Sequence, residues 1–496
     1  MECLMSKLYN CSMRKCWAFL AVFFLSTLVQ AQDPIKDLEK RVKEYTLKNG
    51  MKLLILERHA APLVSYEMMF CAGSVDEEAG KSGLAHLFEH MMFKGTRTVG
   101  TKDYAAEKPL MDQIDKVALA LVDVDSPTLR AKMEALEAEE QKLIIPSEFD
   151  QIYQRAGAEG LNAFTSRDMT GFVVSLPSNK WELWPMMEAE RMADPVLREF
   201  YKERDVVMEE RRMRYDNDPD GKLWENFLAL CYLAHPYRNP TIGWASDIKR
   251  LTRSDAEDFF RGHYAPNNAV VAVVGDVSAS VVAEKCEKYF AYVPPQAVPR
   301  RAVTEEPAQD GERRARVAFD AEPRLLLGYP KPSAPHPDNF VFEMIEQVLG
   351  RGRTSRFNRG IVDKQTAVAA WASNGNPGER YANLIVFGGS PRKPNGNPEL
   401  EGAILSELER LKNEAVPVRE LEKIKNQLEA DSIRELASNP GMASRLSYGQ
   451  AVLGDWRYPF RYLEGIRKVT PDDVQRVAKQ YLTEKNRTVA WLERSR

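Results

Sequence analysis

The chain has 496 residues, of which 44% are hydrophobic and 28% are charged. These proportions are typical of a soluble globular protein and exclude a disordered, collagen-like or low-complexity chain, and the length predicts about two to four domains. The 69 Lys and Arg residues against 72 Asp and Glu residues leave a formal net charge of −3. We therefore expect no nucleic-acid partner, because that binding needs a strongly basic surface.

The N-terminal segment has the pattern of an export signal. Basic residues precede an uncharged apolar run of 13 residues, Trp17 to Val29, which is followed by Gln30 and Ala31. This pattern is typical of a signal peptide, whereas a helix that spans a bilayer needs about 20 apolar residues. We therefore expect residues 1–31 to be removed as a signal peptide. The mature protein would then have no membrane span and would be exported, to the periplasm first and to the medium as the alternative.

Beyond residue 40 the sequence mixes predicted strands and helices. Apolar and alternating runs predict strands at 52–56, Leu63–Phe70 and 171–176. Residues 103–150 are strongly helical in composition, and Ser126-Pro127 starts a second helix within them. We interpret this segment as an inserted helical hairpin. The mixture of sheet and helix predicts the α+β class.

Two stretches of the sequence repeat each other at an offset of 218 residues, beginning at Ile248 and Ile466. In each stretch a threonine, Thr252 or Thr470, occupies the position of a helix N-cap, and an amphipathic helix and an apolar strand follow. The offset persists for about 27 residues, which predicts a duplicated domain of about 220 residues. We expect two homologous domains, each a sheet with flanking helices.

A stretch rich in proline and charge separates the two predicted domains. Residues 294–314 have almost no apolar periodicity, which is typical of a linker. We place the N-terminal domain at residues 40–293, with the hairpin 103–150 inserted in it. The C-terminal homologous domain is placed at residues 315–496.

The segment 83–95 carries a histidine pair on a predicted helix, since it has no interior glycine or proline before Gly95. His86 and His90 are four residues apart, so both imidazoles leave one helix face and can bind one metal ion. Glu89 lies three residues after His86, close enough to activate a metal-bound water. The order His-x-x-Glu-His is the inverzincin motif. The alternative is that the two histidines are ordinary surface or core residues.

A zinc ion needs a third protein ligand, and an acidic helix over residues 199–213 offers candidates. Glu203 and Glu210 are seven residues apart and share a face, so that one could bind the metal and the other could support a histidine. Glu209 points about a quarter-turn away. The alternative is a solvated charged helix with no metal ligand, and spacing alone does not decide between these two interpretations.

The basic residues that follow are interpreted as a solvated helix face. They are Arg211, Arg212 and Arg214.

Several segments together make the sequence resemble the pitrilysin/insulinase family of zinc peptidases. The resemblance covers nearly all of the mature chain and is closest to the shorter bacterial members, which have two domains per chain. The matching segments are 86–90 (His-Leu-Phe-Glu-His), 93–96 (Phe-Lys-Gly-Thr), 161–166 (Leu-Asn-Ala-Phe-Thr-Ser), 203–210, 263–268, 274–276 and 350–356.

The resemblance implies a metal centre and a reaction. His86, His90 and Glu210 would bind one zinc ion per chain, and Glu203 would support the site from outside the ligand set. Glu89 would be the general base that activates a zinc-bound water. The implied function is that of a zinc metalloendopeptidase.

The resemblance also implies how peptides are bound. Short unfolded peptides would be hydrolysed inside a clamshell chamber formed by two chains or by two halves of one chain. The substrate would add in extended form to an edge strand. The residues of that strand are Leu161, Asn162, Ala163, Phe164 and Thr165.

The sequence departs from the family pattern in two places. His90 and Glu210 are 120 residues apart, which is longer than usual, and the insertion 103–150 accounts for the difference. Active members also carry an Arg and a Tyr, seven residues apart, that hold the substrate and its oxyanion in the C-terminal domain. Here Val362 and Ala369 stand at those positions.

The missing Arg/Tyr pair leads to a prediction about partners. We expect a heterodimer with a second family member that supplies the pair, and a homodimer with other donors is the alternative. A half-site or non-catalytic subunit is therefore the second functional hypothesis. A third, a peptide-binding protein that merely holds a metal, would not need Glu89.

Overall fold

The computed structural model of the protein describes residues 34–298 and 303–494. The predicted signal peptide, residues 1–31, lies outside the described residues and stays a prediction. A short helix, α1 (Pro34–Arg41), precedes residue 43 and is a separate unit. Within the described ranges no helix combines the length and the apolar character needed to cross a membrane. From Lys43 onward the chain forms one unit around two β-sheets.

The first sheet has six strands in the order β1-β2-β6-β3-β5-β4. Its central strand β6 is buried along its whole length, which explains its continuous apolar sequence. β6 runs parallel to β2, and the other neighbours are antiparallel. The strands are β1 (Lys43–Thr46), β2 (Lys52–Glu57), β3 (Leu63–Phe70), β4 (Glu159–Thr165), β5 (Thr170–Pro177) and β6 (Ala269–Gly275).

Ten helices accompany this sheet within the described residues. The predicted insertion is a pair of packed helices, α3 and α4, and Ser126 caps α4 with Pro127 in its first turn, as the sequence indicates. The ten helices are α2 (Leu84–Met91), α3 (Tyr104–Asp123), α4 (Pro127–Leu143), α5 (Glu148–Arg155), α6 (Leu183–Ala193), α7 (Phe200–Arg211), α8 (Pro219–Cys231), α9 (Ala245–Ile248), α10 (Arg253–His263) and α11 (Ala279–Tyr289). A π-helical turn, Arg212–Asp216, continues α7.

The second sheet has five strands in the order β7-β11-β8-β10-β9. They are β7 (Arg313–Ala318), β8 (Arg324–Lys331), β9 (Ala367–Asn376), β10 (Asn383–Pro391) and β11 (Thr488–Glu493). The helices of this half are α12 (Asp338–Gly350), α13 (Asn397–Asn413), α14 (Val418–Ala437), α15 (Asn439–Ala451), α16 (Tyr458–Lys468) and α17 (Pro471–Tyr481). A π-helical turn, Asn358–Val362, precedes β9.

The sequence repeat corresponds to a structural repeat. Thr252 caps α10 and Thr470 caps α17, each in a capping box with an aspartate three residues later. The strands that follow, β6 and β11, each run parallel to one neighbour and antiparallel to the other. The two-domain α+β prediction is therefore confirmed. β7 begins at Arg313, two residues before the predicted start of the second domain.

The two halves exchange helices. α8, from the first half, packs on β7 and β11 of the second sheet, and α15, from the second half, packs on β3 and β6 of the first. The contact is tight at Gly328 in β8, where an added Cβ would lie 2.5 Å from the ring of Phe227 in α8. Each sheet thus has an apolar face that the other half covers, which joins the halves into one unit.

Candidate metal centre

Helix α2 carries the histidine motif and is held at its N-terminus by the carboxylate of Glu77. That carboxylate accepts hydrogen bonds from the backbone N–H groups of Gly83 and Ala85, at 3.1 and 2.8 Å. Gly83 has φ +91°, and an added Cβ would lie 2.5 Å from the carbonyl oxygen of Ile242. The buried face of α2 anchors the helix through Leu84, Ala85, Leu87, Phe88 and Met91.

The helix ends earlier than the sequence predicts. α2 stops at Met91, four residues before Gly95. The backbone N–H groups of Phe93 and Lys94 bond to carbonyls three residues back, which tightens the chain into a turn. The prediction of helix up to Gly95 is therefore wrong for this last stretch, although His86, Glu89 and His90 all lie within the helix.

Three predicted ligands come together. His86 Nε2 lies 3.6 Å and His90 Nε2 lies 4.0 Å from Glu210 Oε2. One ligand atom from each residue falls within 4.8 Å of the others. Zinc bonds of about 2.0–2.1 Å at tetrahedral angles separate ligand atoms by about 3.4 Å. Small side-chain movements would therefore bring the three ligand atoms to bonding distance of one zinc ion. Glu210 Oε2 is also buried without a hydrogen-bond partner, as expected for an atom whose partner is a metal ion.

Glu203 supports the histidine pair. Its Oε2 lies 3.3 Å from His90 Nδ1, and its Oε1 lies 2.6 Å from Lys94 Nζ. Burial alone would raise the pKa of Glu203, but the hydrogen bonds to His90 and Lys94 outweigh it and lower the pKa to about 2. The ionised carboxylate can therefore accept the Nδ1–H of His90 and direct Nε2 towards Glu210.

Sequence reasoning missed Lys94 and Glu199 as parts of this network. Lys94 Nζ also lies 2.9 Å from Glu199 Oε2. The lysine is therefore held between two carboxylates, that of Glu203 in α7 and that of Glu199, the residue just before α7. The spacing could have indicated Lys94, which follows His90 by four residues in the same segment. Helical spacing does not place Glu199 in this way, because Glu199 precedes α7 and has a non-helical φ of +56°.

The two histidines differ in their electrostatics. Burial, His90 and Arg214 lower the pKa of His86 to about 3, so His86 is neutral. Burial also opposes the charge on His90, but the carboxylates of Glu203, Glu210 and Glu89 outweigh it and raise its pKa. Neutral imidazole is the form that binds a metal ion, and His86 is already in that form.

Glu89 lies beside the ligands and is tied to the edge strand. Thr165 Oγ1 donates a hydrogen bond of 2.6 Å to Glu89 Oε2. Burial raises the pKa of Glu89, and the Thr165 hydroxyl opposes this effect. Thr165 ends β4, which lies at the edge of the first sheet as the sequence analysis expects. Thr165 therefore contacts the candidate base directly, a contact that the sequence does not reveal.

A cavity of about 460 Å³ opens next to Glu89. Asn162 and Ala163 of β4 form one wall, and residues 144–148, at the end of the insertion, form another. The insertion therefore shapes the space beside the metal centre.

Positions 362 and 369 hold no replacement for an Arg/Tyr pair. Val362 ends the π-helical turn, and Ala369 is exposed on β9. Arg380, which follows β9 in the chain, does not replace the missing arginine, because it is bonded to Asp168. Its guanidinium donates to the backbone oxygen of Asp168, and its backbone N–H donates to the Asp168 carboxylate at 3.1 Å.

Comparison with known proteins identifies the family. A model described as insulinase, peptidase family M16, matches residues 52–112, and one described as the peptidase M16 inactive domain matches residues 250–428. The zinc protease PqqE of Helicobacter pylori is 30% identical over 458 residues, which are 90% of this chain and 92% of that protein. The chain belongs to the M16 family.

Solved structures of M16 proteins agree with this fold. A protease from Helicobacter pylori is 29% identical, with a TM-score of 0.78, and the match covers 91% of this chain and 99% of that one. The periplasmic protease PqqL of Escherichia coli has a TM-score of 0.69 at 17% identity, over 92% of this chain and 48% of that chain. One M16 chain of this length thus corresponds in fold to about half of PqqL. The inactive-domain match begins at residue 250 and contains none of His86, His90 and Glu210.

Proposed function

We propose that this protein is an exported zinc endopeptidase that hydrolyses short unfolded peptides. The observation that carries the proposal is the meeting of His86, His90 and Glu210 with Glu89 beside them, next to a strand with a free edge. The family relation adds that M16 relatives are named zinc proteases.

The metal would be held by His86, His90 and Glu210, one ion per chain. A neutral histidine and a buried, unpaired carboxylate oxygen suit a zinc ion. When bound, zinc supplies a Lewis acid and lowers the pKa of a coordinated water to about 7.

Glu89 would move the protons of the reaction. As a carboxylate it takes one proton from the attacking water, whose oxygen forms a bond to the peptide carbonyl carbon. The C=O electron pair moves to the carbonyl oxygen as that bond forms and returns as the C–N bond breaks. Glu89 gives the proton to the departing nitrogen, which releases an amine and a carboxylic acid that then ionises in solution. The hydrogen bond from Thr165 holds Glu89 in place during both transfers.

Strand β4 would bind the substrate. Its outer edge has no neighbouring strand in the described sheet, so an extended peptide can pair with residues 161–165 through main-chain hydrogen bonds. Such pairing requires an unfolded segment and gives weak sequence preference. The cavity of about 460 Å³ beside Glu89 has room for a side chain but not for a folded domain.

Export rests on the N-terminal pattern of residues 1–31. A fold relative, PqqL, is named a periplasmic protease, which supports the periplasm as the destination.

A half-site subunit is the second candidate function. Val362 and Ala369 favour it, because neither side chain can donate a hydrogen bond to a substrate oxygen. In that case a second M16 chain would supply the Arg/Tyr pair in a heterodimer. In a homodimer, other residues of this chain would have to donate the hydrogen bonds to the substrate oxygen.

Cleavage of a mixed library of short unstructured peptides by the purified chain alone tests these proposals. We expect the wild type to cut and Glu89→Gln to lose at least about 100-fold in rate, because general-base catalysis contributes that much. Zinc content is measured on both proteins and should be equal. If neither cuts although both hold zinc, the chain alone is not a peptidase, and activity should return only with the partner chain.

A further inference from the structure

The turns of two edge hairpins meet where the two halves of the chain contact each other. Residues 166–169 join β4 to β5 in the first half, and residues 377–382 join β9 to β10 in the second. β4 and β9 each lie at one edge of their sheet. Asp168, in the first turn, is buried, and so is most of the side chain of Arg380, in the second. The contact between the turns therefore lies inside the protein.

The carboxylate of Asp168 binds the backbone of the second turn. Its Oδ2 accepts hydrogen bonds from the backbone N–H groups of Glu379 and Arg380, at 2.6 and 3.1 Å. Its Oδ1 accepts the hydroxyl of Tyr237 at 2.5 Å, and that hydroxyl in turn accepts the backbone N–H of Tyr381 at 3.3 Å. The position of the first turn is thus fixed by three donors, two of which belong to the other half.

The guanidinium of Arg380 joins two segments of the first half. It donates to the backbone oxygen of Asp168, and its NH1 lies 3.5 Å from Asp76 Oδ2. The side chains of Arg380 and Asp76 are only 8% and 6% exposed, so water screens this pair little. Hydrogen bonds to charged groups are also stronger than those between neutral groups. One buried charge therefore holds the turn after β4 and the segment that contains Asp76.

The first of these segments positions Thr165. This residue directly precedes the turn and donates to Glu89 in α2. The turn itself is compact, because the Ser166 hydroxyl oxygen accepts the backbone N–H groups of Asp168 and Met169 at 3.1 and 3.2 Å. A displacement of Asp168 would therefore displace Thr165 as well.

The second segment leads into the histidine helix. Asp76 is followed by Glu77, whose carboxylate holds the N-terminus of α2. The backbone N–H groups of Ser74 and Val75 donate to carbonyl oxygens of the turn after β4, at 3.2 and 3.0 Å. The two segments are thus already in contact, and Arg380 links them a second time from the other half.

We propose that Arg380 is a positioning residue of the active site, which holds the turn after β4 against the segment before α2 so that Thr165 meets Glu89. This inference rests on the proposed peptidase function and assigns Arg380 no contact with the substrate. A hydrogen bond of 2.6 Å is lost when its atoms move apart by about 1 Å, and misplacement of that size can lower a rate about 100-fold. The second half would thereby contribute to catalysis through geometry, although Val362 and Ala369 donate no hydrogen bond.

The first test compares Arg380→Ala with Arg313→Ala. The guanidinium of Arg313 also joins the halves, since it donates to the carbonyl oxygens of Leu230 and Cys231 in α8, at 3.0 and 2.8 Å, away from the turn after β4. We expect Arg380→Ala to lower kcat about 10- to 100-fold with little change in KM, because the edge of β4 keeps its main chain. Arg313→Ala should keep the wild-type kcat, and zinc content should be equal in both. Equal kcat values for the two variants would overturn the proposal.

A double-mutant cycle tests whether Arg380 acts through Thr165. Thr165→Val removes the hydroxyl, so in that background Arg380→Ala should lower kcat by less than about 3-fold. The same loss in both backgrounds would assign Arg380 to general stability and refute the proposal. Arg380→Lys keeps a positive charge beside Asp76 and should show a smaller loss with the same dependence on Thr165. This variant carries the test if Arg380→Ala does not fold.

Hydrogen exchange separates this inference from the peptidase proposal, because it requires no cleavage. The backbone N–H groups of Ser166, Asp168 and Met169 are bonded within the turn and should exchange at least about 10-fold faster in Arg380→Ala than in Arg313→Ala. If the wild type cuts peptides but the two variants match in kcat and exchange, the role of Arg380 is refuted and the peptidase proposal stands. If the wild type does not cut, the peptidase proposal fails, and the exchange rates alone decide whether Arg380 holds the turn.

Discussion

The metal centre depends on side chains whose functions are set by their immediate partners. Glu203 and Glu210 share a residue type and a helix face, yet one bonds His90 Nδ1 and Lys94, and the other faces the Nε2 atoms of both histidines. The residue type alone therefore does not show which of the two glutamates binds the metal. Their different positions along α7 decide which atoms of the two histidines each carboxylate contacts.

The support by Glu203 can be measured directly. We expect Glu203→Gln to bind zinc about 10- to 100-fold more weakly, because an uncharged amide accepts the Nδ1–H of His90 less strongly. Competition with a coloured chelator measures the affinity. Glu209→Gln is the control, since Glu209 is exposed on the same helix and pairs with Arg212. Equal affinities of the two variants would show that His90 needs no such partner.

At the scale of elements, the inserted hairpin is anchored to the segment that follows α2. Glu107 of α3 and Arg198 form a fully buried ion pair, with 2.7 Å between Oε1 and Nε. The same guanidinium donates to the carbonyl oxygens of Thr96 and Lys94. The insertion is thus joined by a buried charge to the turn that ends the histidine helix, which explains how it can form a wall of the cavity.

Removal of the carboxylate at Glu107 should destabilise this arrangement. Glu107→Ala leaves the Arg198 guanidinium buried without a counter-charge, and we expect the free energy of unfolding to fall by about 3–5 kcal/mol. Glu107→Gln, which keeps an acceptor, should lose less. Urea unfolding followed by circular dichroism measures the change. Wild-type stability of Glu107→Ala would mean that the three carbonyl contacts of Arg198 suffice without the carboxylate.

At the scale of the whole molecule, the exchange of α8 and α15 makes each half part of the core of the other. The contact of α15 with β3 contains a buried carboxylate, Glu67, which faces the hydroxyls of Ser444 and Ser447. Burial raises the pKa of Glu67 to about 7, although both hydroxyls oppose the shift, and its Oε1 has no hydrogen-bond partner. The protonated form is therefore favoured in the folded state relative to the unfolded chain.

This carboxylate should make the stability depend on pH. Because its folded pKa lies above the unfolded value of 4.5, the contribution of Glu67 to stability is complete below pH 4.5 and is lost as the pH rises through about 7. Glu67→Gln imitates the neutral acid, so we expect it to gain up to about 3 kcal/mol over the wild type at pH 8. The gain should vanish at pH 4.5 and be visible in urea unfolding at both pH values. A gain that does not change with pH would exclude titration of Glu67 as the cause.

Local patterns in the sequence predicted much of the fold and the site. Capping residues such as Thr252, Thr470 and Ser126 act within one turn of their helices, and the strand at Leu63–Phe70 follows from its own apolar run. The helical spacing of His86 and His90 is likewise a local property. The ligand set and the edge strand required the family resemblance, because they join segments far apart in the chain.

Tertiary structure alone decided the features that depend on contacts between distant segments. These are the hydrogen bond of Thr165 to Glu89, the support of His90 by Glu203 with Lys94, the helix exchange, and the bonds of Arg380 to Asp168 and Asp76. The burial of Arg211, whose guanidinium bonds Glu225, also depends on such a contact, so the interpretation of Arg211 as part of a solvated face is wrong. The early end of α2 belongs with them, since the turn to Gly95 packs against the backbone of Val99 and the side chain of Arg198. The physical reason is that propensity and periodicity act over a few residues, whereas burial, charge and hydrogen bonding are fixed only when remote segments meet.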